Sequence, residues 1–385
     1  MKPTPPAYPA AVSVKFLTEL PLGLYLHVPF CKRKCAYCDF YSSFATEELL
    51  DKYTESLINA IKQWGGNICR PTDTIYLGGG TPSLLGKRLG AVIGAVKTAF
   101  NVAPNAEITL EINPSGDSEE TLAYALEAGV NRLSVGVQSG NNGELALLGR
   151  THTAKDAEKT IAEAKALGFK NISVDLMLGL PRSDTDTLKD SIDFCLSLEP
   201  QHISAYILKV EDNTYFAKLG SSLCLPDADK CADQYLFLCD ELCKNGFEHY
   251  EISNFCRKGY KSRHNLKYWH CEEYLGLGPA AHSFLNGKRF YYPRDLKGFM
   301  NGNAPLPDGD GGGREEFIML NLRTNTGIEF EKYRRLFGDL PAGITKAAKR
   351  FAAAGLINIT NRGISLTDRG MLVSNSIITD FLEEI

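Results

Sequence analysis

Short β-branched segments alternate with longer segments of helical periodicity between about residues 22 and 245. The six predicted strands are 22–28, 74–77, 107–112, 132–137, 172–177 and 203–208. Each precedes a helix-like segment, of which 154–167 is typical. Parallel strands need such crossovers, so we predict an α/β fold with a partial (β/α)6 TIM-like barrel over residues 21–245. An open doubly wound sheet has the same local pattern and is the alternative.

Composition predicts the character of the other segments. Residues 1–20 are proline-rich and predict a disordered tail, and the aromatic residues 246–304 predict an insert that packs on the barrel. The proline and glycine content of 305–313 predicts a linker. Residues 314–385 read as helices followed by a hairpin, which predicts a small winged-helix-like C-terminal domain. Its ten Lys or Arg against nine Asp or Glu give no basic face, which favours a structural or docking role over DNA binding.

Charge, hydropathy and cysteine count narrow the function classes. The net charge is −4, from 42 Lys or Arg and 46 Asp or Glu, so we expect no nucleic-acid partner. No apolar segment approaches the roughly 18 residues of a membrane helix, and none near the start has the character of a signal peptide. We therefore expect a cytoplasmic protein without a membrane-spanning segment. Eleven cysteines in such a chain favour a metal or cluster role for any close-set group over disulfides.

Three cysteines lie within eight residues directly after the first predicted strand. Cys31, Cys35 and Cys38 could share one buried helix face, but Pro29 and the three basic residues 32–34 favour a solvated loop. A structural zinc site would want a fourth ligand nearby, and Phe40 stands where one could have been offered. Three thiolates instead suit an iron-sulfur cluster that keeps one iron open.

Polar or small residues also follow the other predicted strands. They are the glycines at 78–80 after the second strand, and Glu111, Gln138 and Asp175 at the ends of the third, fourth and fifth. Each could be an ordinary turn or surface residue when taken alone. Because the functional residues of a (β/α) barrel lie where its strands end, their joint placement predicts a site at that end of the barrel.

The spacing Cys-x3-Cys-x2-Cys after the first strand resembles the radical S-adenosylmethionine superfamily. The resemblance implies a 4Fe-4S cluster on Cys31, Cys35 and Cys38, with S-adenosylmethionine chelating the open iron. It also implies reductive cleavage of that molecule to a 5′-deoxyadenosyl radical. The segment Gly78-Gly79-Gly80-Thr81-Pro82 is similar to the glycine motif of this superfamily, which lies against the methionine moiety.

A closer resemblance, over residues 22–380, is to the family of oxygen-independent coproporphyrinogen III oxidase and its relatives. It is carried by Tyr25-x-His27-x-Pro29-Phe30-Cys31, the cysteine and glycine motifs, and Asp175-Leu-Met-Leu-Gly-Leu-Pro181. The resemblance implies that nine residues contact S-adenosylmethionine: Tyr25, Tyr37, Gly79, Gly80, Thr81, Glu111, Gln138, Arg150 and Asp175. No catalytic residue is assigned. The oxidase has a further cysteine two residues beyond the third cluster cysteine, where this chain has Phe40.

The segment His264-Asn-Leu-Lys-Tyr268-Trp269 resembles the His-Asn-x-x-Tyr-Trp motif of the HemW-type haem chaperones. That resemblance implies haem bound near His264, Tyr268 and Trp269, delivery to an acceptor protein, and an electron donor for the cluster. His270 and Cys271 are alternative iron ligands. An aromatic core patch around a hydrogen-bonded histidine is the structural alternative for the motif. The functional alternative is a coproporphyrinogen III oxidase or another radical enzyme acting on a tetrapyrrole.

Overall fold

A computed structural model describes residues 20–114 and 118–385. The predicted disordered tail, 1–20, lies outside the described residues except for Leu20. The strands are β1 Leu22–Val28, β2 Phe30–Cys31, β3 Ser43–Phe44, β4 Pro71–Gly79, β5 Asn101–Ile112, β6 Arg132–Gln138, β7 Ile172–Leu178, β8 His202–Ile207, β9 Glu248–Glu251, β10 Asn254–Cys256, β11 Tyr274–Leu277, β12 His282–Leu285, β13 Lys288–Tyr291, β14 Leu306–Asp310, β15 Ile328–Glu329, β16 Ile357–Ile359 and β17 Gly363–Leu366.

The helices are α1 Glu47–Gly65, α2 Leu89–Ala99, α3 Glu119–Ala128, α4 Asn142–Leu147, α5 Ala154–Leu167, α6 Thr185–Ser197, α7 Tyr215–Leu219, α8 Ala228–Lys244, α9 Arg263–Trp269, α10 Leu296–Met300, α11 Arg314–Asn321, α12 Phe330–Phe337, α13 Ala342–Ala353, α14 Asp368–Leu372 and α15 Ser374–Leu382. Two 3₁₀ segments lie at Pro82–Arg88 and Gly220–Leu223. Side chains fix several helix starts, because they accept the first free backbone N–H groups. Thr153 and Asp156 form a capping box at α5, and Asp184 and Thr187 form one at α6.

The main sheet has twelve strands within the described residues, in the order β14-β13-β12-β11-β1-β4-β5-β6-β7-β8-β10-β9. Seven neighbouring strands, from β11 to β8, run parallel. All six predicted strands are among them, and the sheet stays open between β14 and β9, as a partial barrel requires. The parallel strands bury apolar side chains on both faces, which is why they read as nearly continuous hydrophobic segments.

The structure corrects two expectations about residues 246–313. The aromatic segment is part of the sheet rather than an insert that packs on it, because β10 and β9 extend the sheet beyond β8 and β11 to β13 extend it beyond β1. The predicted linker 305–313 contains β14, which pairs with β13. An edge strand tolerates Pro307 because its outward N–H positions need no ladder partner, so composition did not exclude a strand there.

The C-terminal segment has the predicted order of helices followed by a hairpin. Its hairpin, β16 and β17, gains β15 to form a three-stranded sheet, and α14 and α15 follow. Backbone contacts join this C-terminal segment to the barrel half, the part of the chain that contains the main sheet. The N–H of Ile252 donates to the carbonyl of Arg323 at 2.9 Å, and Glu251 forms a β-bridge with Thr324. Among the described helices, none combines the length and hydrophobicity that a membrane crossing requires.

Candidate functional site

The three cysteines lie on a loop that the backbone holds at the carboxyl end of β1. Cys31 ends β2, which pairs with β3, while Cys35 and Cys38 lie in the turn that follows. The N–H of Ala36 donates to the carbonyl of Leu148 at 2.9 Å, and its carbonyl accepts from the N–H of Phe216 at 3.0 Å. All three thiols are half-buried, so they are fixed in place yet reachable.

The neighbours of these thiols suit a set of thiolate ligands. The Thr81 hydroxyl lies 3.6 Å from the sulfur of Cys31, and the Arg150 guanidinium lies 3.5 Å from the sulfur of Cys35. Burial raises the pKa of the Cys38 thiol, so iron binding would have to displace its proton. Three thiols with a nearby cation fit an iron-sulfur cluster with one iron left open.

A cavity of about 330 Å³ opens beside the three cysteines. The structure brings eight of the nine predicted S-adenosylmethionine contacts to its wall: Tyr37, Gly79, Gly80, Thr81, Glu111, Gln138, Arg150 and Asp175. Tyr37 comes from the cysteine loop, and the other seven come from β4, β5, β6 and β7 and from the loops beyond, which is where a barrel presents its functional residues. The cavity also has wall residues that the sequence did not single out, among them Asn113 and Gly136.

The glycine motif leaves no room for side chains. Gly79 has φ +118°, and a Cβ there would lie 2.7 Å from the His27 ring. A Cβ on Gly80 would lie 2.5 Å from the carbonyl oxygen of Phe30, the residue before Cys31. The two glycines therefore let β4 and the cysteine loop approach each other closely.

Two carboxylates face the cavity in an environment that favours their protonated forms. Glu111 accepts hydrogen bonds from the Tyr76 hydroxyl at 2.8 Å and from the N–H of Gly79 at 3.1 Å. Desolvation raises its pKa to about 7. Asp175 accepts from the Ser134 hydroxyl at 3.2 Å, and desolvation raises its pKa as well. A cationic group of a bound ligand would favour the ionised forms of these carboxylates and could pair with them, and a hydroxyl group could hydrogen-bond to either form.

Arg150 is held by Asn113 and Gly136. One of its terminal nitrogens donates to the amide oxygen of Asn113 at 2.6 Å and to the carbonyl of Gly136 at 2.7 Å. A Cβ on Gly136 would lie 2.9 Å from that nitrogen and 3.0 Å from the amide nitrogen of Gln138. Gln138 itself has φ 70°, an uncommon conformation for a residue other than glycine and one that recurs at functional sites.

Tyr25 is the predicted contact that does not reach the cavity wall. Its hydroxyl lies 2.9 Å from Nδ1 of His27, and its ring centroid lies 6.1 Å from that of Tyr76 and 6.4 Å from that of His264. Tyr25 therefore packs among the rings of His27, Tyr76 and His264 rather than on the cavity wall.

The structure places the predicted haem residues away from this cavity, near the amino-terminal ends of the strands. His264 is fully buried, with Nδ1 2.9 Å from the Thr74 hydroxyl and Nε2 2.7 Å from the Tyr268 hydroxyl. Burial lowers the pKa of its imidazole to about 3. Both ring nitrogens are thus occupied, as in the structural alternative for the motif. Trp269 is half-buried beside Arg323, and Cys271 is buried with its thiol 3.8 Å from Glu316.

Glu107 explains why α9 sits at this end of the barrel. Its carboxylate accepts from the backbone N–H groups of Arg263 at 3.1 Å and His264 at 3.0 Å, which are among the free donors of the first helical turn. The helix therefore closes the end of the barrel opposite the cysteine loop.

Comparison with known proteins agrees with this arrangement. Residues 25–195 match the model of the radical SAM superfamily, and residues 314–373 match that of the HemN C-terminal domain. The structure of coproporphyrinogen III oxidase (HemN) from Escherichia coli superposes with a TM-score of 0.82 and 22% identity, over 96% of this chain and 92% of that one. Fold and cysteine site together define a radical S-adenosylmethionine protein with a partial barrel, as predicted.

Two curated relatives match over nearly their full length. "Heme chaperone HemW" of Lactococcus lactis is 33% identical over 384 residues, covering 95% of this chain and 98% of the relative. The protein of the same name from Bacillus subtilis is 35% identical, covering 94% and 99%. The chain belongs to the HemW family, which confirms the resemblance drawn from its motifs.

Proposed function

We propose that this protein binds haem and delivers it to an acceptor protein, while carrying a 4Fe-4S cluster and S-adenosylmethionine. The observation that carries the proposal is the end-to-end similarity to two proteins named as haem chaperones. The cavity beside Cys31, Cys35 and Cys38 supports the cofactor part of the proposal. A protein that donates electrons to the cluster is a further proposed partner, and a cytoplasmic location stays a prediction.

The residues around the cavity have separable roles in this proposal. The three cysteines would hold the cluster, and Arg150 would keep positive charge beside their sulfurs. Glu111, Gln138 and Asp175 would orient S-adenosylmethionine through hydrogen bonds. When bound, the cluster and S-adenosylmethionine supply one-electron and radical chemistry. Phe40, exposed on 67% of its surface, stands at the cavity mouth where the oxidase family has its further cysteine.

The haem has two candidate sites. For haem to bind at the predicted site, α9 must move away from the barrel, because both nitrogens of His264 are hydrogen-bonded and the ring has no exposed surface. The mouth of the cavity is the second candidate. There Phe40 and Tyr206 expose ring surface, and the exposed basic residues Arg33 and Lys34 line the same rim. Aromatic faces and cations are what a flat macrocycle with two carboxylates requires.

One titration tests the function and the site together. Haem is added to the anaerobically reconstituted protein and to His264→Ala, Tyr268→Ala and a Phe40→Ala/Tyr206→Ala double variant, with binding followed by haem absorbance. We expect tight binding by the parent protein. Weaker binding by the first two variants places the haem at α9, whereas weaker binding by the double variant places it at the mouth.

Three controls belong to that titration. Unfolding free energies of all variants are needed, since loss of buried His264 leaves two polar partners unpaired at a cost of about 2 to 4 kcal/mol. Coproporphyrinogen III with S-adenosylmethionine and a reductant forms a separate arm, and decarboxylated product there would replace the chaperone proposal with the enzyme. Transfer is measured by mixing the haem-loaded protein with haem-free candidate acceptors. Failure of the parent protein to bind haem would contradict the proposal.

A further inference from the structure

A second group of ligand-type side chains lies far from the cysteine loop, where the barrel half meets the C-terminal domain. Cys239 comes from α8, His249 from β9, and Asp368 is the first residue of α14. Nδ1 of His249 lies 2.7 Å from a carboxylate oxygen of Asp368 and 3.9 Å from the sulfur of Cys239. The three ligand atoms all lie within 4.8 Å of one another. We call these three residues the Cys-His-Asp cluster.

The surroundings of His249 fix which ring nitrogen faces the cluster. Its ring stacks on Phe255, with the centroids 4.2 Å apart and the planes at 13°. The Tyr235 hydroxyl donates to the carbonyl of Ile252 at 2.9 Å, so its oxygen can accept from Nε2–H of His249, 3.4 Å away. Nδ1 then points at a carboxylate oxygen and a sulfur. Both of these are electron-rich atoms, so the position between the three needs a proton or a metal cation.

We propose that the Cys-His-Asp cluster is a zinc site, with Cys239, His249 and Asp368 as ligands. Sulfur, imidazole nitrogen and carboxylate oxygen are the donors that zinc takes. Zinc-bound histidines donate their second N–H to an outer acceptor, and the Tyr235 hydroxyl oxygen can fill that role here. In a tetrahedral site the donor atoms lie about 3.4 to 3.6 Å apart. The half-exposed side chain of Asp368 can move the roughly 0.7 Å away from Nδ1 of His249 that this spacing requires, and the sulfur of Cys239 must approach Nδ1 by about 0.3 Å.

Zinc at this position would tie the C-terminal domain to the barrel half. Asp368 belongs to the C-terminal domain, whereas His249 lies in β9, the strand that forms one edge of the main sheet, and Cys239 lies in α8, the helix before that strand. A tetrahedral zinc ion needs a fourth ligand, and water could supply it because Asp368 is half-exposed. Cys243, which follows Cys239 by one turn of α8, is a second source for that ligand. The site is independent of the haem and cluster chemistry proposed above.

The test is zinc binding by the full chain with its iron-sulfur cluster in place, so that the cluster thiols do not compete. Equilibrium dialysis against zinc, with zinc and iron measured by elemental analysis, gives the stoichiometry and affinity. We expect a single zinc ion per chain. Asp368→Asn and Cys239→Ser should each bind zinc at least about tenfold more weakly, as should Tyr235→Phe through loss of the outer partner. The matched control is Cys195→Ser, another buried helical thiol, which should bind like the parent.

The melting temperature supplies an independent readout. Zinc that binds the folded state should raise it in the parent protein and in Cys195→Ser, but not in Asp368→Asn. Asp368 is half-exposed, so this variant should fold even where Cys239→Ser does not. The proposal is overturned if the parent protein takes up no zinc beyond trace, which leaves only a hydrogen-bonded contact between His249 and Asp368. It is equally overturned if Asp368→Asn binds zinc with unchanged affinity.

Discussion

Arg150 holds its position through hydrogen bonds that a lysine cannot reproduce. One nitrogen of its planar guanidinium reaches Asn113 and Gly136 while the other lies beside Cys35. We expect Arg150→Lys to keep the cluster but to weaken S-adenosylmethionine binding by about tenfold or more, which corresponds to losing one charge-assisted hydrogen bond. Dialysis of the reconstituted protein against labelled S-adenosylmethionine measures this, with exposed Arg350→Lys as the matched control. Equal affinity in the two variants would rule out this role.

Glu111 makes stability depend on pH in a defined direction. Its pKa is about 7 in the folded protein against 4.5 for an unperturbed group. Between these values the folded state holds more protons than the unfolded state, so the free energy of unfolding falls as pH rises from 4.5 to 7. The contribution amounts to at most about 3 kcal/mol. Asp175 raises this pKa and Arg132 lowers it.

Denaturant unfolding of the parent protein and of Glu111→Gln at several pH values isolates that contribution. We expect the free energy of unfolding of the parent protein, relative to that of Glu111→Gln, to decrease as pH rises through this range. Glu251, whose pKa is also raised to about 7 by burial, contributes equally to both proteins and cancels in the difference. A difference between the two proteins that is independent of pH would contradict the assignment.

Among single residues, the sequence predicted those that belong to a recognisable motif and missed those that hold the motif residues in place. The cysteines and glycines stand out because their spacing has few structural explanations. Asn113 carried a signal, since it follows Glu111 by two residues at the same strand end, but Gly136 lies inside a strand and has none. The burial of His264 depends on Thr74 and Glu107, which are more than 150 residues away. No local pattern reveals such contacts.

The close approach of β4 to the cysteine loop rests on Gly80. A methyl group there would press on the backbone of Phe30 and displace Cys31. We expect Gly80→Ala to lower stability by about 1 to 3 kcal/mol and to reduce the iron and sulfide bound after reconstitution. Gly90→Ala on α2 is the control, because nothing lies within 4 Å of its added Cβ and alanine favours a helix by up to about 1 kcal/mol. Full iron content in Gly80→Ala would contradict this expectation, because it would show that the cysteine loop can shift to accommodate the methyl group.

The strands of the main sheet could be predicted where the sequence has a strong hydrophobic pattern. They could not be predicted where only hydrogen-bonded pairing with a neighbouring strand defines them. The six central strands are recognisable in the sequence as hydrophobic segments because both of their faces are buried. By contrast, β9, β11, β12 and β13 have four residues each, too few for a period to show. Of these four strands, β11 pairs with β1, which is distant in the sequence, whereas β9, β12 and β13 pair with short strands close to them. No local pattern shows that these short pairs join the main sheet, so the aromatic segment was predicted to be an insert.

The whole molecule has a principal hydrophobic core that passes through both halves of the chain. Within the described residues this core includes Leu22 in the first strand, Phe317 in α11 and Phe381 in α15. A smaller group around Leu148 and Phe216 lies beside the cysteine loop. The order of elements predicted a separate C-terminal domain, but only the three-dimensional contacts show that its core continues that of the barrel.

The continuous core predicts that the barrel edge and the C-terminal interface unfold together. The two tryptophans of the chain report on these regions, since Trp64 stacks on Phe290 of β13 and Trp269 lies beside Arg323 of the C-terminal domain. Trp269→Phe and Trp64→Phe each leave one reporter. In urea, the cluster-free protein should give the same midpoint by the remaining tryptophan's fluorescence and by far-ultraviolet circular dichroism in each variant. If Trp269 instead reports a separate, earlier transition than circular dichroism, the C-terminal domain unfolds on its own and the core is continuous in packing but not in cooperativity.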